Sequence, residues 1–162
     1  MSLRTKLVVS LLVAVLGAST GVFGHDAAVK AMGITNMKWP GPELDRIIKA
    51  DDLHISVFRD DGVTYGTPTF IWCVQVDGEL YVRAYNGVHS RWYQAALKQK
   101  AGKIIAAGRT MQVAFEPVSG ALNDRIDLAY SAKYSASSYL QPMISERSRA
   151  ATIRILPQKG TQ

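Results

Sequence analysis

Two stretches of the sequence carry residues able to bind or move charge at regular spacing. The first is Tyr81-Val-Arg-Ala-Tyr-Asn-Gly-Val-His-Ser-Arg-Trp-Tyr93. Strand alternation puts Arg83 on one face with Tyr81 and Tyr85. That strand leads through the Asn86-Gly87 turn to Ser90, a residue suited to begin a helix. Arg83 and Arg91, together with the free backbone N–H groups of that helix start, would form a site for a phosphate or carboxylate. The same spacing serves a second arrangement, in which Arg83 pairs with an acid across the sheet and Asn86-Gly87 is only a turn. The second stretch is Asp127-Leu-Ala-Tyr-Ser-Ala-Lys-Tyr134, where Lys133 shares an apolar helical stripe with Ile126 and Tyr130. A lysine there either snorkels to the surface or carries its ammonium to a ligand or a buried acid. Tyr130 and Tyr134 stack four residues apart, as core residues do. Trp39, Trp72 and Trp92, with seven tyrosines, supply aromatic faces that suit a flat cofactor or a packed interior equally well.

Other chemistries find no support in the residues. His25, His54 and His89 are far apart and there is one cysteine, so the three or four convergent ligands of a zinc centre are not in view, and no metal site is expected. There is no nucleophile elbow and no phosphate-binding P-loop. Cys73 lies in an apolar run, where a cysteine is an inert small hydrophobe. The net charge of +6 is spread without a Lys/Arg block, and no nucleic-acid partner is expected.

The elements that must position these residues are read from periodicity and turn chemistry. Trp39-Pro-Gly-Pro42 opens a short amphipathic helix that runs to about Ala50, and His54 to Phe58 alternates as a strand ended by Asp60-Asp-Gly62. Thr67 to Val76 is nearly continuous apolar sequence and predicts a single strand covered on both faces. Asp77-Gly78 then predicts a tight hairpin to Leu80–Tyr85. A helix is expected from Ser90 to about Ala101 with Gly102 as its stop. Strand sequence follows from Ile104 to Val118, broken by a bulge or turn at Gly108. Asn123 or Asp124 caps the next helix, a helical turn lies near Pro142 to Glu146, and a last strand runs from Ala151 to Leu156. Five or six mostly antiparallel strands with three or four helices make an α+β fold.

The N-terminus is of another kind. Arg4 and Lys6 precede a ten-residue run, Leu7 to Leu16, apolar except for Ser10, and then small residues, the pattern of a secretory signal peptide over residues 1–24. The run is too short for a stable span of roughly 20 residues, so no membrane span is expected after cleavage. Residues 25–36 read as a flexible tether and 37–158 as the folded domain. The location implied is periplasmic or secreted.

Several separated motifs resemble one bacterial family, domain of unknown function 2255. They are Ile71-Trp-Cys-Val74, Asp77-Gly-Glu-Leu-Tyr-Val-Arg83, the segment from Gly87 to Trp92, Ile126-Asp-Leu-Ala-Tyr130 with Lys133-Tyr134, and Thr152 with Arg154-Ile-Leu-Pro157. That family resembles in turn the split β-barrel flavin-binding superfamily. The resemblance implies a mostly antiparallel split β-barrel with peripheral helices. It implies flavin mononucleotide or a deazaflavin as cofactor and a flavin- or deazaflavin-dependent oxidoreductase. It also implies a small anionic ligand and a homodimer with the ligand between subunits. By position, the ring would lie along the strand from Thr67 through Phe70 to Trp72. The anion would lie near Arg83, Gly87, His89, Arg91 and Trp92, with Tyr85 as a further wall and Lys133 as a cation behind it. The alternative is a non-enzymatic ligand-binding or structural envelope protein that kept the barrel and lost the cofactor.

Overall fold

The computed structural model describes residues 37–158. The signal peptide expected over 1–24 and the tether over 25–36 lie outside the described residues. Trp39 is buried, and its indole N–H donates to the Ile155 carbonyl at 2.8 Å, which fixes the start of the domain against its last strand. Helix α1 (Gly41–Ala50) follows, with Pro42 in its first turn, Leu44 and Ile47 turned inward, and a stop at Asp51 in the left-handed conformation. Among the described residues no helix is long and apolar enough to cross a membrane.

Seven strands form one antiparallel sheet: β1 (His54–Val57), β2 (Thr69–Phe70), β3 (Cys73–Val76), β4 (Glu79–Arg83), β5 (Ala101–Ala106), β6 (Arg109–Val118) and β7 (Thr152–Pro157). The order is β2-β1-β5-β6-β7-β4-β3. β2 and β3 are therefore opposite edges, yet only Ile71 and Trp72 separate them in the chain. The sheet curls so that this segment joins its two edges, giving an α+β fold of the split-barrel kind with helices on its periphery.

This corrects the expectation of one buried strand from Thr67 to Val76. The chain changes partners at Ile71–Trp72, from β1 to β4, and both residues of β2 are exposed. The Ile71 N–H turns inward to the Leu53 carbonyl at 2.9 Å, which marks the bend. The Asp77-Gly78 hairpin forms as read, with φ +54° and +76° at its two turn residues, and pairs Val76 with Glu79. Ala107-Gly108 makes a second tight turn between β5 and β6.

Helix α2 (Arg91–Gln99) starts after Ser90 but stops at Lys100, in the left-handed conformation, and not at Gly102. Gly102 belongs to β5, where a Cβ would sit 2.5 Å from the Ser56 carbonyl oxygen and 2.9 Å from the Phe115 ring, so the glycine permits close strand packing. Helix α3 (Leu122–Lys133) begins earlier than Asn123 or Asp124; Asn123 lies buried inside its first turn and makes no cap. Short helices α4 (Leu140–Met143) and α5 (Glu146–Arg149) lead to β7.

Two apolar layers result. Leu53, Ile55, Leu80, Val82, Ile104, Ile153 and Ile155 fill the inside of the curl beneath α1 and α2. Val74, Tyr81, Ile126, Tyr130, Tyr134 and Met143 pack between the outer face of β3–β4 and α3–α4. β4 lies between the layers, so Leu80 to Arg83 are all buried.

Candidate functional site: an aromatic cavity beside the sheet seam

The bend between β2 and β3, the loop after β4 and the segment before α4 meet around a cavity of about 410 Å³. Phe70, Trp72, Tyr85, Trp92, Tyr139 and Met143 form most of its wall, with Thr69, Asn86 and Ser90 as polar neighbours. Such a volume with mostly apolar walls and a few polar groups is the usual form of a small-molecule site. Phe70, Tyr85 and Tyr139 are 51%, 41% and 61% exposed, so the cavity mouth displays aromatic rings to solvent. Tyr85 and Tyr139 meet edge to face at 6.2 Å, and the Arg147 guanidinium lies 5.5 Å from the centre of the Tyr85 ring.

Trp72 is the best-held wall. Its ring stacks on Tyr134 with centroids 4.0 Å apart, and its carbonyl accepts from the Tyr130 hydroxyl at 3.2 Å. The Tyr134 hydroxyl donates to Asp51 at 2.5 Å and accepts from the Cys73 N–H at 3.3 Å. Lys133 completes this knot. Its ammonium pairs with Asp51 at 2.8 Å and donates to the Cys73 carbonyl at 2.9 Å. Burial holds the Tyr134 and Tyr130 phenols well above the ordinary tyrosine range, and pushes the Cys73 thiol up to about 11. Cys73 is thus no nucleophile at neutral pH.

Arg83 resolves the two arrangements that the sequence left open. It has no exposed surface, although it stands behind the cavity wall. Nε donates to Thr152 Oγ1 at 3.1 Å, and one terminal nitrogen to Asp127 at 2.5 Å and the Met143 carbonyl at 3.1 Å. The other donates to the Asn123 carbonyl at 3.2 Å and the Asn123 side-chain oxygen at 2.9 Å. All five guanidinium N–H groups are used within the fold, and none is left for a ligand anion. Asp127 also pairs with Arg149, so the two arginines tie β4, α3 and α5 together.

Of the residues expected at a cofactor, the cavity gathers Phe70, Trp72, Tyr85 and Trp92, with Arg83 behind them. Thr67 and Arg91 line a neighbouring cavity that also touches Trp92. Gly87 is packed against α5, where a Cβ would sit 2.6 Å from Arg147 Cγ. His89 is exposed and lines neither cavity, and Lys133 belongs to the Asp51 knot. Tyr139 and Met143 escaped the sequence reading. The one available signal was a tyrosine and a methionine flanking a Pro in an otherwise loosened Ser-rich stretch.

Comparison with other proteins bears on the fold and the family. No curated protein sequence matches the chain. Among solved structures the fold is similar to that of the conserved hypothetical protein Rv2991 from Mycobacterium tuberculosis, with a TM-score of 0.58 and 14% sequence identity. That similarity covers 77% of this chain and 84% of the other. Residues 43–155 match the family described as uncharacterized protein conserved in bacteria, DUF2255. The match spans most of the sequence and nearly every element described above, and the chain belongs to the DUF2255 family.

Proposed function

We propose that this protein is exported and that its aromatic cavity binds a flat ring system of the flavin or deazaflavin class, in the service of an oxidoreductase reaction. The observation that carries the reading is the wall of Phe70, Trp72, Tyr85, Trp92 and Tyr139 around one opening of the fold. The ring portion of such a cofactor fits these residues: Trp72 offers a rigid stacking face, and Phe70 and Trp92 bound the sides. A phosphate does not fit the cavity through Arg83, whose donors are spent. When bound, a flavin supplies the electron chemistry, and this chain's part is to orient the ring and exclude water. The exposed rings of Phe70, Tyr85 and Tyr139 would be covered by a second copy in a homodimer.

The test is direct. Protein purified from its native host should show flavin or deazaflavin absorbance, or bind riboflavin, flavin mononucleotide or a deazaflavin in a fluorescence titration. Trp92→Ala should weaken that binding about tenfold or more, from loss of an aromatic contact. A colourless protein that binds none of the three overturns the reading. The spent donors of Arg83 favour a second reading, a binding or structural envelope module without the cofactor. Sequencing of the mature N-terminus tests export, with a start between about residues 19 and 27 expected.

A further inference from the structure

A second cavity of about 370 Å³ lies beside the first, and Thr69 and Trp92 belong to both. Its lining is mixed: Phe58, Trp92 and Ala95 give partly exposed apolar surface, Thr67 and Thr69 are polar, and Ile55 and Val57 lie beneath, buried in the core. Two arginines, Arg59 and Arg91, stand on the same lining. Their state differs from that of Arg83, Arg109, Arg125, Arg149 and Arg154, each of which pairs with a carboxylate. Among the described residues Arg59 and Arg91, like Arg46 and Arg147, have no acidic partner within 4.0 Å, and Asp61, whose charge is felt by Arg59, accepts instead from the Val63 and Thr64 N–H groups and the Thr64 hydroxyl. Arg59 is anchored by its Nε, which donates to the Tyr65 carbonyl at 3.1 Å, and its terminal nitrogens remain for another acceptor. The one acid on the lining, Asp60, is engaged by Lys98 at 2.8 Å.

A cleft that sets apolar and aromatic surface beside guanidinium groups outside any carboxylate pair matches a molecule with an apolar body and one anionic end. We propose that this second cavity is a binding site for a small apolar carboxylic acid, its chain against Phe58, Trp92 and Ala95 and its carboxylate on Arg59 and Arg91. The proposal does not rest on flavin binding in the first cavity. Phosphate is a poorer match, because it would leave the apolar surface of Phe58, Trp92 and Ala95 without a partner.

Octanoate and octanamide, nearly equal in shape and unlike in charge, make the test, with isothermal titration of the full chain. Octanoate should bind about tenfold or more tighter than octanamide, and added salt should narrow the gap, since both arginines are exposed. In Arg59→Gln/Arg91→Gln the two should bind alike. Tyr139→Ala, at a residue that lines the first cavity and not the second, should leave the octanoate affinity unchanged. Equal binding of the two probes by the parent, absence of octanoate binding, or a preference that survives the double variant would each overturn the proposal. Loss of octanoate binding in Tyr139→Ala would move the site to the first cavity and overturn it equally. Since Arg59 and Arg91 are exposed, melting curves of the double variant should match the parent and keep the comparison fair.

Discussion

The indole of Trp72 lies on the phenol ring of Tyr134 with the two planes 4° from parallel. One partner faces the cavity and the other is anchored to Asp51 and Cys73, so the ring that a ligand would meet is fixed by residues that never touch it. Tyr134→Leu removes the stack and should cost about 2–4 kcal/mol of stability. Tyr134→Phe keeps the stack, orphans the Cys73 N–H, and should cost about 1–3 kcal/mol. Urea denaturation gives both values, and near-UV circular dichroism of Trp72 should collapse only in the leucine variant.

Arg83 should behave as a structural cation. Arg83→Met leaves Asp127 with Arg149 alone, Thr152 without its donor and the Asn123 side-chain oxygen with only the Thr152 hydroxyl, at a cost of about 3–5 kcal/mol. Arg83→Lys keeps the charge but cannot reproduce a five-donor fork, so it should rescue only part of that loss. Equilibrium unfolding of the three proteins decides the point. A stable Arg83→Met protein would be incompatible with the network.

The β3–β4 turn isolates a backbone effect. A Cβ on Gly78 meets nothing within 4 Å, and its φ is +76°. Gly78→Val should therefore destabilise by about 1–3 kcal/mol through backbone strain alone, while Gly78→Asn, which tolerates positive φ, should cost much less. Chemical denaturation of the pair separates strain from packing.

Alkali should find the buried acids of the seam. Cys73 titrates in the fold at about 11, above the ordinary thiol value of about 8.5 in an unfolded chain. The stability gained by keeping the thiol protonated is complete below that ordinary value and is lost as pH rises through about 11. Tyr134 and Tyr130 are raised as well and act in the same direction at still higher pH. Melting temperatures should be flat across neutral pH and fall above about 9 from this linkage. Cys73→Ala should lose the earliest part of the fall.

Local signals carried as far as local physics does. Asp77-Gly78 declares its hairpin because two successive positive φ angles tolerate few other residues, and Pro42 with Leu44 and Ile47 declares α1. Thr67–Val76 misled because hydrophobicity says that a residue is covered and not by what. The change of partner at Ile71–Trp72 depends on where β1 and β4 end up. Gly102 read as a helix stop, but its small size serves a neighbouring strand 46 residues earlier in the chain, at Ser56. Arg83 was located by alternation, while its partners at positions 123, 127, 143 and 152 could not be read from its own strand.

The closure of the sheet by two residues also bears on how the site comes to exist. The β3–β4 and β5–β6 hairpins are joined by two-residue turns and can form on their own. The β1–β5 ladder must bring together His54 and Ile105, whereas Thr69–Phe70 joins the sheet through the nearer β1 alone. Long loops close late, because their entropy must be surrendered before contacts return it. The aromatic cavity draws Phe70, Trp72, Trp92 and Tyr139 from outside both hairpins, so neither hairpin contains it. A nascent or nicked chain could retain both hairpins and still lack the cavity altogether.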